Sequence, residues 1–490
     1  MTNVLLTNSY FYRFDHKQWR FKQPYPPLAT LIAASVLRNS GYNVGLFDVN
    51  LSNDPEHLTQ HLQLHRPKYV FICDDGFNYL TKMCLTVMRE AAFQMARMAK
   101  KVGCTVIVSS SDAADHYEKY FAVGVDYVIR GEVENTIVEL LDAVEKRKNI
   151  SNISGVIFKQ SGKTVTCAPR VVMRDLDTLP LPAWDLIDIN AYRKIWKKYH
   201  GYFSLNVATT RGCPFKCNWC AKPIYGNRYN SRSPKHVADE IEFLIKNYQP
   251  DHLWMCDDIF GLKPGWIQEF NEIIKKRNLR FKYKIQSRAD LLLESDTIQA
   301  LAESGAETVW IGAESGSQKI LDAMDKGTTI EQIHDASVLL RRNNIRTAFF
   351  LQFGYPGETA SDIQATIDMV LKLMPDEVGI SISYPLPGTR FHQNVKAQLH
   401  EKQNWNDSDD LDMMFQSTFN RGYYRNLHQY VHSIYRKKKG LLALSKLAQN
   451  PLNLTKKDVR AGLSTIYFVP KSISEKWKLK RHSQPVSQLQ

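Results

Sequence analysis

The sequence predicts an α/β chain in which a Rossmann-like, doubly wound amino-terminal domain is followed by a partial (β/α)6 barrel of TIM type and a helical, basic carboxy-terminal region. Three observations carry this reading. Short apolar runs alternate with amphipathic segments over residues 1–148, a second series of strand-then-helix units fills 204–392, and positive charge gathers after residue 420. The organisation is then 1–148, a hairpin and proline-rich linker over 149–203, a barrel core over 204–392, and a closing region with a basic tail over 393–490.

In the first part, residues 3–7, 43–47, 69–73, 105–108 and 126–129 are short apolar runs, the pattern of strands buried on both faces of a parallel sheet. Helical segments at 27–39, 55–65, 82–101 and 134–144 separate or follow them, and Gly41 and Gly103 fall where a helix must stop. Ligands of such sheets sit beyond the carboxyl ends of the strands, which selects Asp74 and Asp75, Ser110 and Ser111, and Glu132. Residues 155–172 read as a small hairpin, and the prolines at 180 and 182 forbid a regular helix in the linker. Barrel strands are expected at 205–208, 252–255, 282–285, 308–311, 347–351 and 378–382. Functional groups of a barrel gather at the carboxyl ends of its strands, here Asp257 and Asp258, Arg288, Glu314 with Ser315, and Gln352.

Composition narrows the class. Hydrophobic content of 43% and charge of 23% fit a globular protein, and no stretch has the uncharged length of a membrane span, so the chain is read as cytoplasmic. From 421 to 490 there are 15 Lys and Arg against 2 Asp and Glu, which places nearly all of the net charge of +14 in the tail. The first 420 residues are close to neutral, so no nucleic-acid partner is expected. The plain reading of the tail is a solvated helical extension; it is also a candidate for peripheral contact with an anionic membrane, an acidic partner or an anionic substrate.

Chemistry concentrates at Cys213, Cys217 and Cys220, a C-x3-C-x2-C run. Three thiolates on one loop can hold three corners of a cubane iron-sulfur cluster and leave the fourth iron open. Zinc is the competing metal and would need a fourth ligand, with Cys256 the nearest and His200, His236 and His252 weaker. Eight cysteines in 490 residues are too dilute for a disulfide scaffold.

With Trp219 before the last cysteine, the run becomes C-x3-C-x-aromatic-C and resembles the signature of the radical S-adenosylmethionine (radical SAM) superfamily. The resemblance spans about 204–390 and implies a [4Fe-4S] cluster on the three cysteines, with S-adenosylmethionine chelated at the open iron. It implies cofactor contacts from Trp219, from Asp257 and Asp258 in place of the family's glycines, from Glu314 and Ser315, from Arg288 to the methionine carboxylate, and from Gln352 beside the adenine. An electron donor such as flavodoxin or ferredoxin would feed the cluster, and a 5′-deoxyadenosyl radical would attack an unactivated C–H bond of a small molecule.

Residues 1–148 resemble, more weakly, the cobalamin-binding domain joined to many radical SAM enzymes, through 26–31, the strand end at 47–50 and the turn at 130–132. Two departures stand out. The D-x-H-x-x-G motif is replaced by a segment at 74–78 that contains no histidine, and Ser110 and Ser111 occupy positions where glycines are often found. Cobalamin near Asp74, Ser110, Ser111 and Glu132 would therefore lack a protein nitrogen on cobalt, and an inert Rossmann-like relic is the alternative. The implied reaction is cobalamin-dependent methylation of an unactivated carbon. The alternatives are an oxidative cyclisation or rearrangement of a tetrapyrrole-like molecule and, in another class, a non-catalytic metal-centre binding protein. A transfer-RNA methylthiotransferase is disfavoured, because Cys73, Cys84 and Cys104 share no loop.

Overall fold

The structure, a computed structural model, describes residues 3–220, 222, 224–399, 402–449 and 455–483. Its first sheet is built from β1 (Val4–Thr7), β2 (Val44–Phe47), β3 (Tyr69–Cys73), β4 (Thr105–Ser109), β5 (Tyr127–Ile129), β6 (Val156–Gln160) and β7 (Lys163–Thr166). The order is β2-β1-β3-β4-β5-β6-β7, with the first five strands parallel and the last two antiparallel. Every residue of β3 is buried, as a central strand of a doubly wound sheet requires. The hairpin expected in the connecting region is present, and it extends this sheet by pairing β6 onto β5.

Helix Leu28–Asn39 covers one face of the sheet and Thr86–Lys101 the other. The second begins later than its apolar pattern suggested. A separate short helix, Tyr79–Lys82, precedes it, and Cys84 takes a left-handed conformation (φ 56°) that interrupts the helical path.

The second sheet contains β8 (Ser204–Val207), β11 (His252–Met255), β12 (Lys282–Ser287), β13 (Ala306–Glu314), β14 (Arg346–Phe353) and β15 (Glu377–Ile382), all parallel and adjacent in chain order. That is the expected six-stranded partial barrel. Two short strands, β9 (Thr210–Arg211) and β10 (Asn230–Ser231), pair antiparallel beyond the end of β8. One continuous core joins the inner face of the first sheet to the barrel, with Leu28, Leu31, Trp184, Trp196 and Leu205 among its members.

Helix Ile189–His200 lies in the stretch read as a linker, started by Asp188, whose carboxylate accepts from the amides of Asn190 and Ala191. The carboxy-terminal region forms two long helices, Arg421–Gln449 and Lys456–Arg481. The first corrects the picture of a solvated tail. It buries Tyr423, Tyr424, Leu427 and Val431, and the Tyr435 hydroxyl donates to the Pro375 carbonyl at 2.6 Å beside β15. Tyr435 thereby ties this helix to the start of the last barrel strand. No described helix is long and apolar enough to cross a membrane.

Candidate active site

The cysteine loop leaves the carboxyl end of β8 through Gly212, which has φ 77° and where a Cβ would sit 2.3 Å from the Arg228 carbonyl oxygen. Only glycine fits. Beyond it Cys213, Cys217 and Cys220 are partly exposed on one loop. Asn218 fastens this loop to the barrel: its amide NH₂ donates to Ala323 O at 2.7 Å, its backbone N–H to Met324 O at 3.0 Å, and its side-chain oxygen accepts from Tyr355 at 2.7 Å. Burial raises the thiols of Cys213 and Cys220, the latter to about 12, and Cys213, Cys217 and Asp258 all bear on Cys220. Among the described residues no three His, Cys, Asp or Glu side chains form a preformed metal cage.

The proposed fourth zinc ligands point elsewhere. Cys256 is buried, its Sγ donating to Val207 O at 3.4 Å, and burial pushes its thiol well up. His252 begins β11, at the opposite end of the strands, and lies 2.8 Å from Ser204 Oγ. His200 contacts the carbonyls of Phe21 and Lys22, and His236 pairs with Asp177. None of these four side chains is joined to the three-cysteine loop.

At the barrel mouth several expected ligand contacts are committed within the protein. Asp257 is fully buried. Its carboxylate accepts the Thr209 and Thr210 amides at 2.7 and 2.8 Å and the Thr209 hydroxyl at 2.6 Å, so it ties the start of the cysteine loop to the end of β11. Burial raises it to about 6. Arg288 donates to Asp290, Lys326 O and Gly327 O, and lies 3.7 Å over the Phe215 ring. Its guanidinium braces the loop after β13 rather than standing free for a carboxylate. Ser315 faces Thr366 at 3.1 Å, and the Gln352 amide donates to Ser383 at 3.0 Å. Trp219 keeps a buried indole N–H with no partner.

Glu314 and Asp258 are placed differently. Glu314 ends β13 in a left-handed conformation (φ 56°), an uncommon state for a residue with a side chain, next to a register shift in the sheet. Its carboxylate meets Lys326 Nζ at 2.9 Å, with both side chains buried. Gly312 leaves room for this pair, since a Cβ there would lie 2.6 Å from Lys326 Nζ. Burial works against the Lys326 ammonium, but Glu314 and Cys217 hold its pKa above the ordinary value. Asp258 pairs at 2.5 Å with Lys82, from the short helix after β3, and so links the two sheets.

At the carboxyl ends of the first sheet, Asp74 accepts the amide and hydroxyl of Ser9 at 2.7 and 2.9 Å, and burial raises it to about 7. Ser110 caps the helix Ser111–Asp115 through Ala113 N at 2.9 Å, and Ser111 is buried in its first turn. Glu132 accepts from Arg211 at 2.9 Å, and Glu134 accepts from the same guanidinium. Asp74, Ser110 and Glu132 are likewise committed within the protein. Buried polar atoms at these strand ends with no protein partner among the described residues include Asn8 Nδ2, past β1, Asn50 Oδ1, past β2, and Glu134 Oε2, past β5.

Lys326, Lys82, Asn218 and Tyr79 escaped the sequence reading. Tyr79 is 44% exposed, in a space bounded by both sheets, where enclosure and the neighbouring Cys220, Glu314, Tyr384 and Asp258 raise its phenol. The only local signal for Lys326 was a lysine before Gly327, twelve residues after Glu314.

Comparison with known proteins now decides the family. Residues 207–370 match the model of the radical SAM superfamily. An uncharacterized methyltransferase of Pyrococcus horikoshii is 30% identical over 327 residues, covering 66% of this chain and 70% of the relative. The chain belongs to the radical SAM superfamily. This radical SAM enzyme is also similar to the anaerobic magnesium-protoporphyrin IX monomethyl ester cyclase of Synechocystis, at 24% identity over 76% of this chain and 73% of the relative. Among solved structures, the cobalamin-dependent S-adenosylmethionine radical enzyme OxsB, with aqua-cobalamin and S-adenosylmethionine bound, superposes with a TM-score of 0.73. That match covers 97% of this chain and 72% of OxsB at 17% identity, and it supports the two-sheet architecture of the radical SAM enzyme described above.

Proposed function

We propose that this enzyme holds a [4Fe-4S] cluster on Cys213, Cys217 and Cys220, cleaves S-adenosylmethionine there, and carries out cobalamin-dependent methylation of an unactivated carbon in a small molecule. One observation carries the reading: the cysteine loop, the Glu314–Lys326 pair and Tyr79 converge where the carboxyl ends of the parallel strands of the two sheets face each other. The donor set fits the cluster, with three sulfurs on one anchored loop and the Cys256 thiol turned to a backbone carbonyl instead. It also fits cobalamin without a protein nitrogen on cobalt, since the end of β3 offers Asp74 and Asp75 but no histidine. The unpaired Asn8 amide is a donor for a polar rim.

When bound, these groups supply the electron, the carbon radical and the methyl group. The chain's own residues do the placing. Glu314 and Lys326 present opposite charges to a zwitterionic amino-acid group, Asp257 sets the path of the loop, and the Lys82–Asp258 pair holds the facing sheets at a fixed spacing. A flavodoxin or ferredoxin is the expected electron donor. The cyclase relative favours a second reading, oxidative ring closure of a tetrapyrrole-like substrate.

The test is anaerobic reconstitution with iron and sulfide, followed by S-adenosylmethionine, reductant and hydroxocobalamin. Cluster absorption, 5′-deoxyadenosine and retained cobalamin are expected. Loss of cluster absorption and of 5′-deoxyadenosine in Cys217→Ala, with Cys256→Ala unaffected, supports the ligand assignment. A protein that binds zinc through Cys256 refutes it, and a cluster-loaded protein that retains no cobalamin refutes methyl transfer.

A further inference from the structure

The second carboxy-terminal helix, Lys456–Arg481, packs inward with Ala461, Phe468 and Leu479 partly buried and still leaves a second apolar row exposed on its other side. The face it turns inward carries Thr465, Ser472 and Glu475, all buried. The face it turns outward carries Val459, Leu463, Ile466, Ile473 and Trp477, with exposures of 43, 64, 77, 56 and 67%. With Pro470, these positions follow a four-three spacing that keeps them on one line of an α-helix. Tyr467, 58% exposed, lies beside that line.

Charge frames the stripe. Arg460, Lys471, Lys476, Lys478, Lys480 and Arg481 flank it, while the two acids of the tail are taken up internally, Asp458 by Lys446 at 3.0 Å and Glu475 by Lys478 at 3.1 Å. The approach to the first helix is close and fixed. A Cβ on Gly440 would lie 2.4 Å from Thr465 Cγ2 and 2.6 Å from Ala461 O, so the pair cannot roll to hide the stripe without rebuilding that contact.

We infer that this stripe is a membrane-docking surface by which the enzyme lies on an anionic lipid bilayer. An apolar line ending in tryptophan, with long basic side chains on its flanks, matches the interface between acyl chains and negative headgroups. The lysine and arginine stems extend the apolar face while their heads reach lipid phosphates. A second copy of the chain is a poor occupant, because pairing two such faces would bring two strongly cationic flanks together. The inference is independent of the chemistry assigned to the barrel.

The test is co-sedimentation of the full chain with phosphatidylcholine vesicles, with and without phosphatidylglycerol. Binding is expected only with the anionic lipid, weakening as salt rises, and brominated acyl chains are expected to quench a fluorescence component that Trp477→Phe removes. Ile466→Ser with Ile473→Ser should weaken binding roughly a hundredfold. Both positions are exposed, so circular dichroism and melting should not change. Absence of vesicle binding at low salt, equal binding by the double variant, or a concentration-dependent dimer that the variant abolishes would each overturn the inference.

Discussion

Arg211 stands two residues before Cys213 and is held between two buried carboxylates, Glu132 at 2.9 Å and Glu134. Consider Arg211→Met. The side chain is 3% exposed and its partners 5 and 4%, so water cannot replace the lost charge. Removing one member of a buried ion pair costs about 3–5 kcal/mol, chiefly because the other is left buried and uncompensated. Two carboxylates are left here. Glu132 keeps the Met173 amide, but Glu134 Oε2 has no partner even in the intact protein, so the upper end of that range is expected. The variant Arg211→Met, Glu132→Gln, Glu134→Gln removes all formal charge and should recover most of the loss. Urea unfolding followed by circular dichroism and tryptophan fluorescence measures both. A cost for Arg211→Met below about 1 kcal/mol, the scale of an exposed pair, would refute the reasoning.

Two further predictions follow from buried charge. Asp74 has a folded pKa of about 7 against an ordinary 3.8, so the native state binds its proton more tightly than the unfolded chain; its contribution is full below the unfolded value and is lost as pH rises through about 7. Asp74→Asn should therefore lose less stability than wild type between about pH 5 and pH 8, measured by thermal melting, and parallel curves would contradict the assignment. Lys326→Met strands Glu314 in the core and should cost about 3 kcal/mol, with Glu314→Gln added in the same chain restoring part of it. If the pair holds the amino-acid group of S-adenosylmethionine, calorimetry should show at least about tenfold weaker binding in the double variant at unchanged fold.

The strands were legible because burial on both faces leaves little choice of residue: β3 is apolar throughout and lies where its pattern put it. Helix Ile189–His200 was not, although Ile189, Tyr192 and Trp196 have helical spacing, because a proline-rich approach and four basic residues masked it. In the candidate site, position after a strand drew attention to the cysteine loop and to Glu314, and both lie at strand ends of the second sheet. What it could not supply was partnership. Asp257 is joined to Thr209, Arg211 to Glu132, and Asp258 to Lys82, across 48, 79 and 176 residues, and each carboxylate that looked available in one dimension is occupied in three. Tail composition showed the charge; only the packing of Gly440 against Ala461 and Thr465 decides which face of the last helix is left outside.

The open side of the barrel is filled by chain from the other end of the molecule. Tyr25 packs its ring 5.1 and 4.8 Å from those of Trp196 and Trp254 and shares a hydrogen bond with Ser204 at 3.1 Å, while Asn206 donates to Pro26 O and Trp196 to Pro24 O. A fragment starting at β8 would thus present strands whose inner side had lost its plug. For anyone seeking to graft this barrel onto another cofactor domain, residues 24–26 must travel with it.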